Sequence, residues 1–412
     1  MERITVRSIE EITGAIARAN AQGQALEVLG HGTRSSLGAP VNATHALDLS
    51  ELSGVEMYEP EELVFTAGAG TPLAEVEAML AENGQMLAFE PPDFRAVLKA
   101  FAGADIGEDD RGTLGGMVAT GFSGPRQVRH WALRDHLLGF AGVNGRAEVF
   151  KSGGRVVKNV TGYDLSKLMA GSFGTLAVLT RLTLRALPAP EQTITLACAG
   201  LDTKAAVAAM TSALLVPVEV SGAAHLPDGR TVLRLEGFTG AARPRAELLR
   251  EKLKIYGDWQ LLDDAESLPL WAGVRDAAPL AEGAVPGLWL WRLALAPARG
   301  AELAGAVRAR WPQARLMLDR AGALIWLALP APAVEDAPVA ALDIRATAMA
   351  YGAQAMLFAA PEALRRAVPP FPPLPGALAG LSARVRAGFD PKGVLNPGRM
   401  PITTLDETLS TQ

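Results

Sequence analysis

The chain opens on an amphipathic period. In SIEEITGAIARAN, residues 8–20, Ile9, Ile12, Ile16 and Ala19 recur at helical spacing behind a serine, with Glu11 three residues on, so a capped helix is predicted. The pattern then shortens to apolar runs. ALEVLG, LDLS and VFTAGAG predict strands, and PLAEVEAMLAENG returns to helical spacing with Leu73, Val76 and Leu80 inward and Gly84 as the stop. This order predicts a small βαβ-type unit ending near Met86.

From residue 87 to 188 the runs are short and rich in glycine. LLGFAGV, AEVFKSG and LAVLTRLTLRALP, with Leu176, Val178, Leu182 and Leu184 at even spacing, predict a more antiparallel sheet. FRAVLKAFAGADIGEDDRG reads as an acidic insertion without chemistry. Beyond Pro188-Ala189-Pro190 a βαββα order occurs twice, with a hairpin turn at Asp319-Arg320-Ala321-Gly322, which predicts a two-layer α+β domain with helices on one sheet face. APEALRRAVPPFPPLPG reads as a linker to a last helix and DPKGVLNPGRM. Four segments result: 1–86, 87–190, 191–384 and 385–412.

Composition narrows the function. A net charge of -5 offers no broad basic face for nucleic acid. The single cysteine, Cys198 in ITLACAG, excludes an internal disulfide, a CxxC zinc site and a cysteine-built cluster, and is expected in the core. Charge in the first twelve residues argues against a signal peptide, and LWLWRLALAPA and ALIWLALPAPA are too short to span the about 20 apolar residues of a bilayer. A soluble, cytoplasmic protein is expected.

Three glycine-rich stretches carry the candidate chemistry. GHGTRSS follows a strand; it is either a plain turn or a nest of N–H groups for a phosphate, with Thr33, Arg34, Ser35 and Ser36 adding hydroxyls and a charge. GTLGGMVATGFSGPR holds Gly112, Gly115, Gly116, Gly121 and Gly124; it is either a loop over a sheet edge or backbone approaching a ligand. Thr113 would cap a short helix whose N-terminus faces a second negative charge. In VVKNVTGYDLSKLMAGSFG, Asp164 is the expected cap of a two-turn helix that GSFGT turns into the strand LAVLTRLTLR, laying amides along a flat heterocycle.

The run GGRVVKNVTGYDLSKLMAGSFGTLAVLTRLTLRALPAPE resembles the FAD-binding domain of the vanillyl-alcohol oxidase/PCMH-type flavoproteins, with GHGT, LDLSEL, AGAGTPLAEVEAML and GTLGG in the family's order and DPKGVLNPGRM similar to its C-terminal return to the flavin. The resemblance covers residues 1–190 and 385–400. It implies an α+β protein: a PCMH-type FAD-binding domain of two α/β subdomains, 1–86 and 87–190, then a ferredoxin-like cap, 191–384, and a return segment, 385–412. It further implies that Gly30, His31, Gly32, Thr33, Arg34 and Ser35 hold the pyrophosphate, and that Pro92, Thr113, Gly115, Gly116 and Gly124 line the same cofactor. Arg134 and Asp135 match the family's Arg-Asp pair, though they also read as a surface ion pair. Val157, Gly162, Gly174, Thr175 and Val178 match backbone contacts around adenine and flavin, and Asn396 and Arg399 close over the ring.

Within the family, ENGQMLAFEPP, GGMVATGFSGPR and the RLEG strand are most similar to the FAD-binding E-type subunits of bacterial glycolate oxidases. Thr33 stands where covalently flavinylated members carry histidine, so non-covalent FAD is expected. The histidines are His31, His45, His130, His136 and His225, so the cap has one and cannot build the histidine–glutamate metal site of the family's hydroxyacid dehydrogenases. The resemblance therefore implies no catalytic residue and no metal here. A paralogous D-type FAD-binding subunit would oxidise glycolate and an iron–sulfur F-type subunit would carry electrons, with the complex at the inner face of the cytoplasmic membrane. Two alternatives stay open. One is a stand-alone hydroxyacid dehydrogenase using His225, Arg292 or Arg320 for the carboxylate. The other is a scaffold that has lost FAD. Trp289, Trp291 and Trp311 read equally as core or partner surface.

Overall fold

The computed structural model describes residues 1–154, 163–284 and 287–404. Ser8 caps the helix Ile9–Gln22, its Oγ accepting from the Glu11 N–H at 3.2 Å. Ile12, Ala15, Ile16 and Ala19 are buried, whereas Ile9, in the first turn, is exposed. Glu2–Thr5, His45–Asp48 and Leu26–Leu29 pair in parallel in that order.

Val64–Gly68 does not join this sheet, contrary to the sequence reading of residues 1–86. It sits in a five-stranded antiparallel sheet ordered Val55–Glu59, Val64–Gly68, Ala177–Arg185, Leu137–Asn144, Val149–Gly153. All five of its residues are buried, and a strand apolar on both faces needs neighbours on both edges and layers on both sides. The predicted helix Leu73–Glu82 forms with Leu73, Val76 and Leu80 buried.

The C-terminal sheet has eight strands built from two copies of one module. The first runs Gln192–Cys198, helix Thr203–Leu215, Val220–His225, Thr231–Gly237, helix Ala242–Leu253, Gln260–Leu262. The second runs Leu288–Ala294, helix Gly300–Arg310, Arg315–Asp319, Leu324–Pro330, helix Ala337–Met349, Gln354–Ala359. Each pairs its strands in the order fourth, first, third, second, the ferredoxin-like order. The modules meet second strand to second strand through one register pair, His225 with Leu318.

Four module helices cover one sheet face, with Trp289, Trp291 and Cys198 in the core between them. The other face is covered too, which the sequence reading left out. It packs on helix Asp264–Asp276 through Trp271 and on Leu37, Phe94, Val97, Leu98 and Phe101 of the N-terminal half. The stretch read as an acidic insertion therefore contains a helix, Arg95–Ala102, whose apolar side docks the cap. The expected linker also holds a helix, Glu362–Ala367, with Leu364 and Arg365 buried.

The last helix, Gly376–Phe389, crosses the boundary expected at 385. Asp390 then accepts from the N–H groups of Val394 at 3.1 Å and Leu395 at 2.8 Å. This turns the tail alongside Leu26, which it meets through Leu26 N–H to Val394 O at 2.8 Å and Asn396 N–H to Leu26 O at 2.9 Å.

Candidate cofactor site

A cleft opens between the 30–35 loop, helix Leu114–Thr120, the turn at Phe173–Gly174 and the tail at Asn396 and Arg399. The loop leaves strand Leu26–Leu29 and winds tightly, with Ser35 N–H donating to Gly32 O and Leu37 N–H to Arg34 O, both at 3.0 Å. Among the described residues no acceptor reaches the N–H groups of Gly32, Thr33 and Arg34, all three of which line the cleft. Unpaired backbone donors converging on a concavity suit an anion.

The glycines divide into two kinds. Gly30 lies on the Thr113 side chain and Gly112 on Thr33, and a methyl on Gly115 would sit 2.8 Å from Ala69 O. They let the walls approach each other. A methyl on Gly116 would meet Thr113 Oγ1 at 3.5 Å and Arg34 Cδ at 4.0 Å, ordinary contacts at the cleft wall.

Helix Leu114–Thr120 starts at Thr113 as expected, with Thr113 Oγ1 accepting from Gly116 N–H at 3.3 Å. Its N-terminus does not await a second charge, however. Leu114 N–H donates to Thr71 O at 2.9 Å and Gly115 N–H to Ala69 O at 2.8 Å, so the 69–71 turn takes its free donors.

Arg34 supplies a half-buried positive charge to the cleft. Its Nη2 donates to Pro92 O at 3.0 Å, and burial pulls its guanidinium down to about 10, still protonated at neutral pH. Arg399 is spent differently: it pairs with buried Glu27 and donates to Ser35 O and, at 3.1 Å, to Leu37 O. His31 Nδ1 lies 2.7 Å from Asp110 Oδ1, which also accepts from Gly112 N–H at 2.8 Å, so the 103–112 stretch is tied to the cleft. Arg34→Met should keep the fold and lower FAD affinity by about 10- to 100-fold, the range for losing a charge-assisted bond to a phosphate. Titration of the apo chain with FAD checks it, and unchanged affinity would remove Arg34 from the site.

Gly30 to Ser35, Thr113, Gly115, Gly116, Gly174, Asn396 and Arg399 come together here. Other sequence-derived candidates lie elsewhere. Pro92 only holds Arg34, and Gly124 packs on Glu90 with its N–H on Phe89 O. Arg134 is exposed, and Asp135 accepts from Ala132 N–H at 3.2 Å and faces Lys167 at 3.8 Å; neither lines the cleft. Thr175 donates to Ser172 O at 2.8 Å, and Val178 is buried in the core behind. Val157 and Gly162 lie outside the described residues.

Asn396 lines the cleft while holding the tail, its Oδ1 accepting from Val28 N–H and its Nδ2 donating to Phe173 O, each at 2.8 Å. Asp164 caps helix Leu165–Met169, but that helix stands off the cleft. The amides after it, Gly171 and Phe173, donate to Val118 O and Ala119 O. Leu49, Ala69, Ala119, Phe173 and Leu179 line the cleft and were not singled out from sequence. Only Phe173 carried a signal, between two glycines in GSFGT, where its φ is +52°.

The donor set fits a flavin dinucleotide: free amides and one half-buried cation for a pyrophosphate, and apolar walls for rings. The comparisons agree. The FAD binding domain family matches residues 3–98. The glycolate oxidase subunit GlcE of Escherichia coli (strain K12) is 34% identical over 376 residues, 91% of this chain and 92% of that one. A D-lactate dehydrogenase of Archaeoglobus fulgidus is 30% identical over 43% of this chain and 37% of its own length. An alkyldihydroxyacetonephosphate synthase structure superposes with a TM-score of 0.67 over 96% of this chain and 76% of that one, at 14% identity, a likeness of fold. With such a relative matched over nearly the whole of both chains, this chain belongs to the PCMH-type FAD-binding flavoproteins, in the branch that includes the GlcE subunits of glycolate oxidase.

Proposed function

We propose that the chain is the FAD-carrying redox subunit of a glycolate-oxidising complex, beside a paralogous D-type catalytic subunit and an iron–sulfur F-type subunit, on the cytoplasmic side of the membrane. The amides of Gly32, Thr33 and Arg34 with the Arg34 guanidinium would hold the pyrophosphate, and Gly116, Phe173, Gly174 and Leu179 would bound the rings. FAD, when bound, supplies electron acceptance and release. Relatives named as glycolate oxidase subunits GlcE and GlcD support a multi-subunit setting. Among the described residues no helix is long and apolar enough to cross a membrane.

One observation carries the relay role. The cap's histidine, His225, is buried at the module seam with Nδ1 3.0 Å from Thr231 Oγ1, and burial, with Arg308 adding to it, pushes it down to about 4. It does not line the cleft and is too weak a base for a hydroxyl proton. Mixed anaerobically with glycolate, the flavin of the isolated chain should stay oxidised, while that of the assembled complex bleaches. Bleaching of the isolated chain would overturn the division of labour. Because Thr33 offers no imidazole for a flavin bond, acid precipitation should leave the yellow colour in the supernatant; a yellow pellet would contradict this.

A second reading, direct binding of a small carboxylate by this chain, is favoured by Arg292. Among the described residues its guanidinium has no hydrogen-bond or ion-pair partner, lies 5.6 Å from the Phe122 ring and 6.0 Å from that of Trp326, and is pulled by burial to about 9. Phe122 in turn packs on Phe173 of the cleft wall. A glycolate-induced change in the flavin spectrum that Arg292→Met abolishes would select this reading. A colourless preparation that FAD cannot reconstitute would instead mark a scaffold.

A further inference from the structure

Arg34 is held by a peptide unit that a residue of the cap also holds. The Pro92 carbonyl accepts from Arg34 Nη2 at 3.0 Å, the only hydrogen bond of that guanidinium among the described residues. The amide of the same trans peptide, Asp93 N–H, donates to Asp276 Oδ1 at 2.7 Å. The C=O and N–H of a planar trans unit point in opposite directions, so one rigid plate meets Arg34 on one side and the cap on the other. Hydrogen bonds strung through one amide also polarise each other, each strengthening the next. The Asp93 carboxylate is engaged by Arg95, through Nε at 2.9 Å and Nη2 at 2.6 Å, which steadies the plate from a third direction.

Asp276 is the last residue of helix Asp264–Asp276, where a carboxylate meets the negative end of the helix dipole. Burial pushes its carboxyl above the ordinary range in spite of Arg275, which binds it through Nε and Nη2 at 2.7 Å each. Neither the helix end nor burial favours an acid here; the Asp93 amide is what this acid reaches outside its own helix. We propose that Asp276 is a positioning residue for the cofactor: from the cap, through the Pro92–Asp93 peptide, it fixes the Arg34 guanidinium at the cleft. This role rests on the reading of the cleft as an FAD site and is independent of which subunit oxidises glycolate. Two effects of Asp276 on an anion at Arg34 have opposite signs. Its charge weakens anion binding, whereas its acceptor oxygen strengthens binding by holding the plate.

Titration of the flavin-stripped full chain with FAD separates them. Asp276→Ala should raise the dissociation constant about 3- to 10-fold, the worth of one hydrogen bond. Asp276→Asn, whose amide oxygen still accepts from Asp93 N–H, should bind at least as tightly as the parent. With Arg34→Met already in place, Asp276→Ala should change the affinity by less than about 2-fold, which a general loosening of the cap would not produce. Should Asp276→Ala fold poorly, hydrogen exchange on the parent decides: the Asp93 amide, preceded by two prolines without an N–H, should exchange more slowly once FAD is added. Unchanged affinity in Asp276→Ala, the same loss with Arg34 already replaced, an equal loss in Asp276→Asn, or Asp93 exchange indifferent to FAD would each overturn this role. A parent chain that binds no FAD at all would overturn the cofactor reading, and this role with it.

Discussion

Gly116→Leu should yield a chain that folds at least as well as the parent and holds less than a tenth of its flavin. Gly116 is inside helix Leu114–Thr120, where leucine is favoured over glycine by about 1 kcal/mol. Its Cβ position is free of clashes, yet the rest of a leucine side chain would extend along the cleft wall between Thr113 and Arg34. Loss of flavin and loss of fold are thereby separated in one variant. The flavin-to-protein absorbance ratio and a melting curve of the apo chain read the two effects. Full flavin content in this variant would show that the cofactor does not pass along this wall, and the site would have to move. Gly115→Leu is the contrasting control: it should misfold, because the Ala69 carbonyl lies 2.8 Å from where its Cβ would be.

Arg234→Ala should destabilise the protein by about 3–5 kcal/mol, the cost of leaving a buried charge without its partner. Arg234, on the cap strand Thr231–Gly237, is only 2% exposed. It reaches Glu90 of the N-terminal half through two bonds, at 2.8 and 2.9 Å, and lies 3.5 Å from Glu236 and 4.6 Å from the Trp271 ring. Arg126 completes the lattice with a bond to Glu236 at 2.6 Å. Without Arg234, Glu90 and Glu236 share one cation, Arg126. Chemical denaturation should show the loss, and hydrogen exchange should place it at the seam between cap and N-terminal half. Adding Glu90→Gln to Arg234→Ala should recover part of it, since the uncompensated carboxylate is then gone. A loss below about 1 kcal/mol would mean that the lattice is solvated.

The same lattice sets an acid limit. Burial alone would raise the Glu236 carboxyl, but Arg234 and Arg126 outweigh it and hold the group at about 2 against an ordinary 4.5. A carboxylate held low in the folded state stabilises it fully above pH 4.5, and that contribution fades as the pH falls toward 2. The parent should lose stability across this window, and the Arg234→Ala variant should lose less.

How much of this could be read from the chain alone depended on how local the cause was. Ser8, Thr113, Asp164 and the 30–35 loop act on residues within a few positions, and their capping and turn chemistry was legible. The cap's module order followed from periodicity, and residues spaced along three loops converge on one cleft. What failed were statements about far partners. The donors at the start of Leu114–Thr120 looked free because Thr71 and Ala69, which take them, lie about forty residues back. Phe94, Val97 and Phe101 looked like an insertion because the sheet they cover lies a hundred or more residues ahead. Arg134 and Asp135 matched a family pattern, but the helix Leu133–His136 that carries them lies apart from the cleft. Leu49, Leu179 and Ala119 are ordinary apolar residues, distinguishable as lining only once the walls are in place.

The tail that pairs with Leu26 and presents Asn396 and Arg399 to the cleft has a bearing on biosynthesis. Asn396 lies 368 residues along the chain from Val28, the strand residue it holds at the pocket. A nascent chain thus cannot enclose its prosthetic group until Arg399 has emerged, and a product that stops short of Asn396 would be colourless.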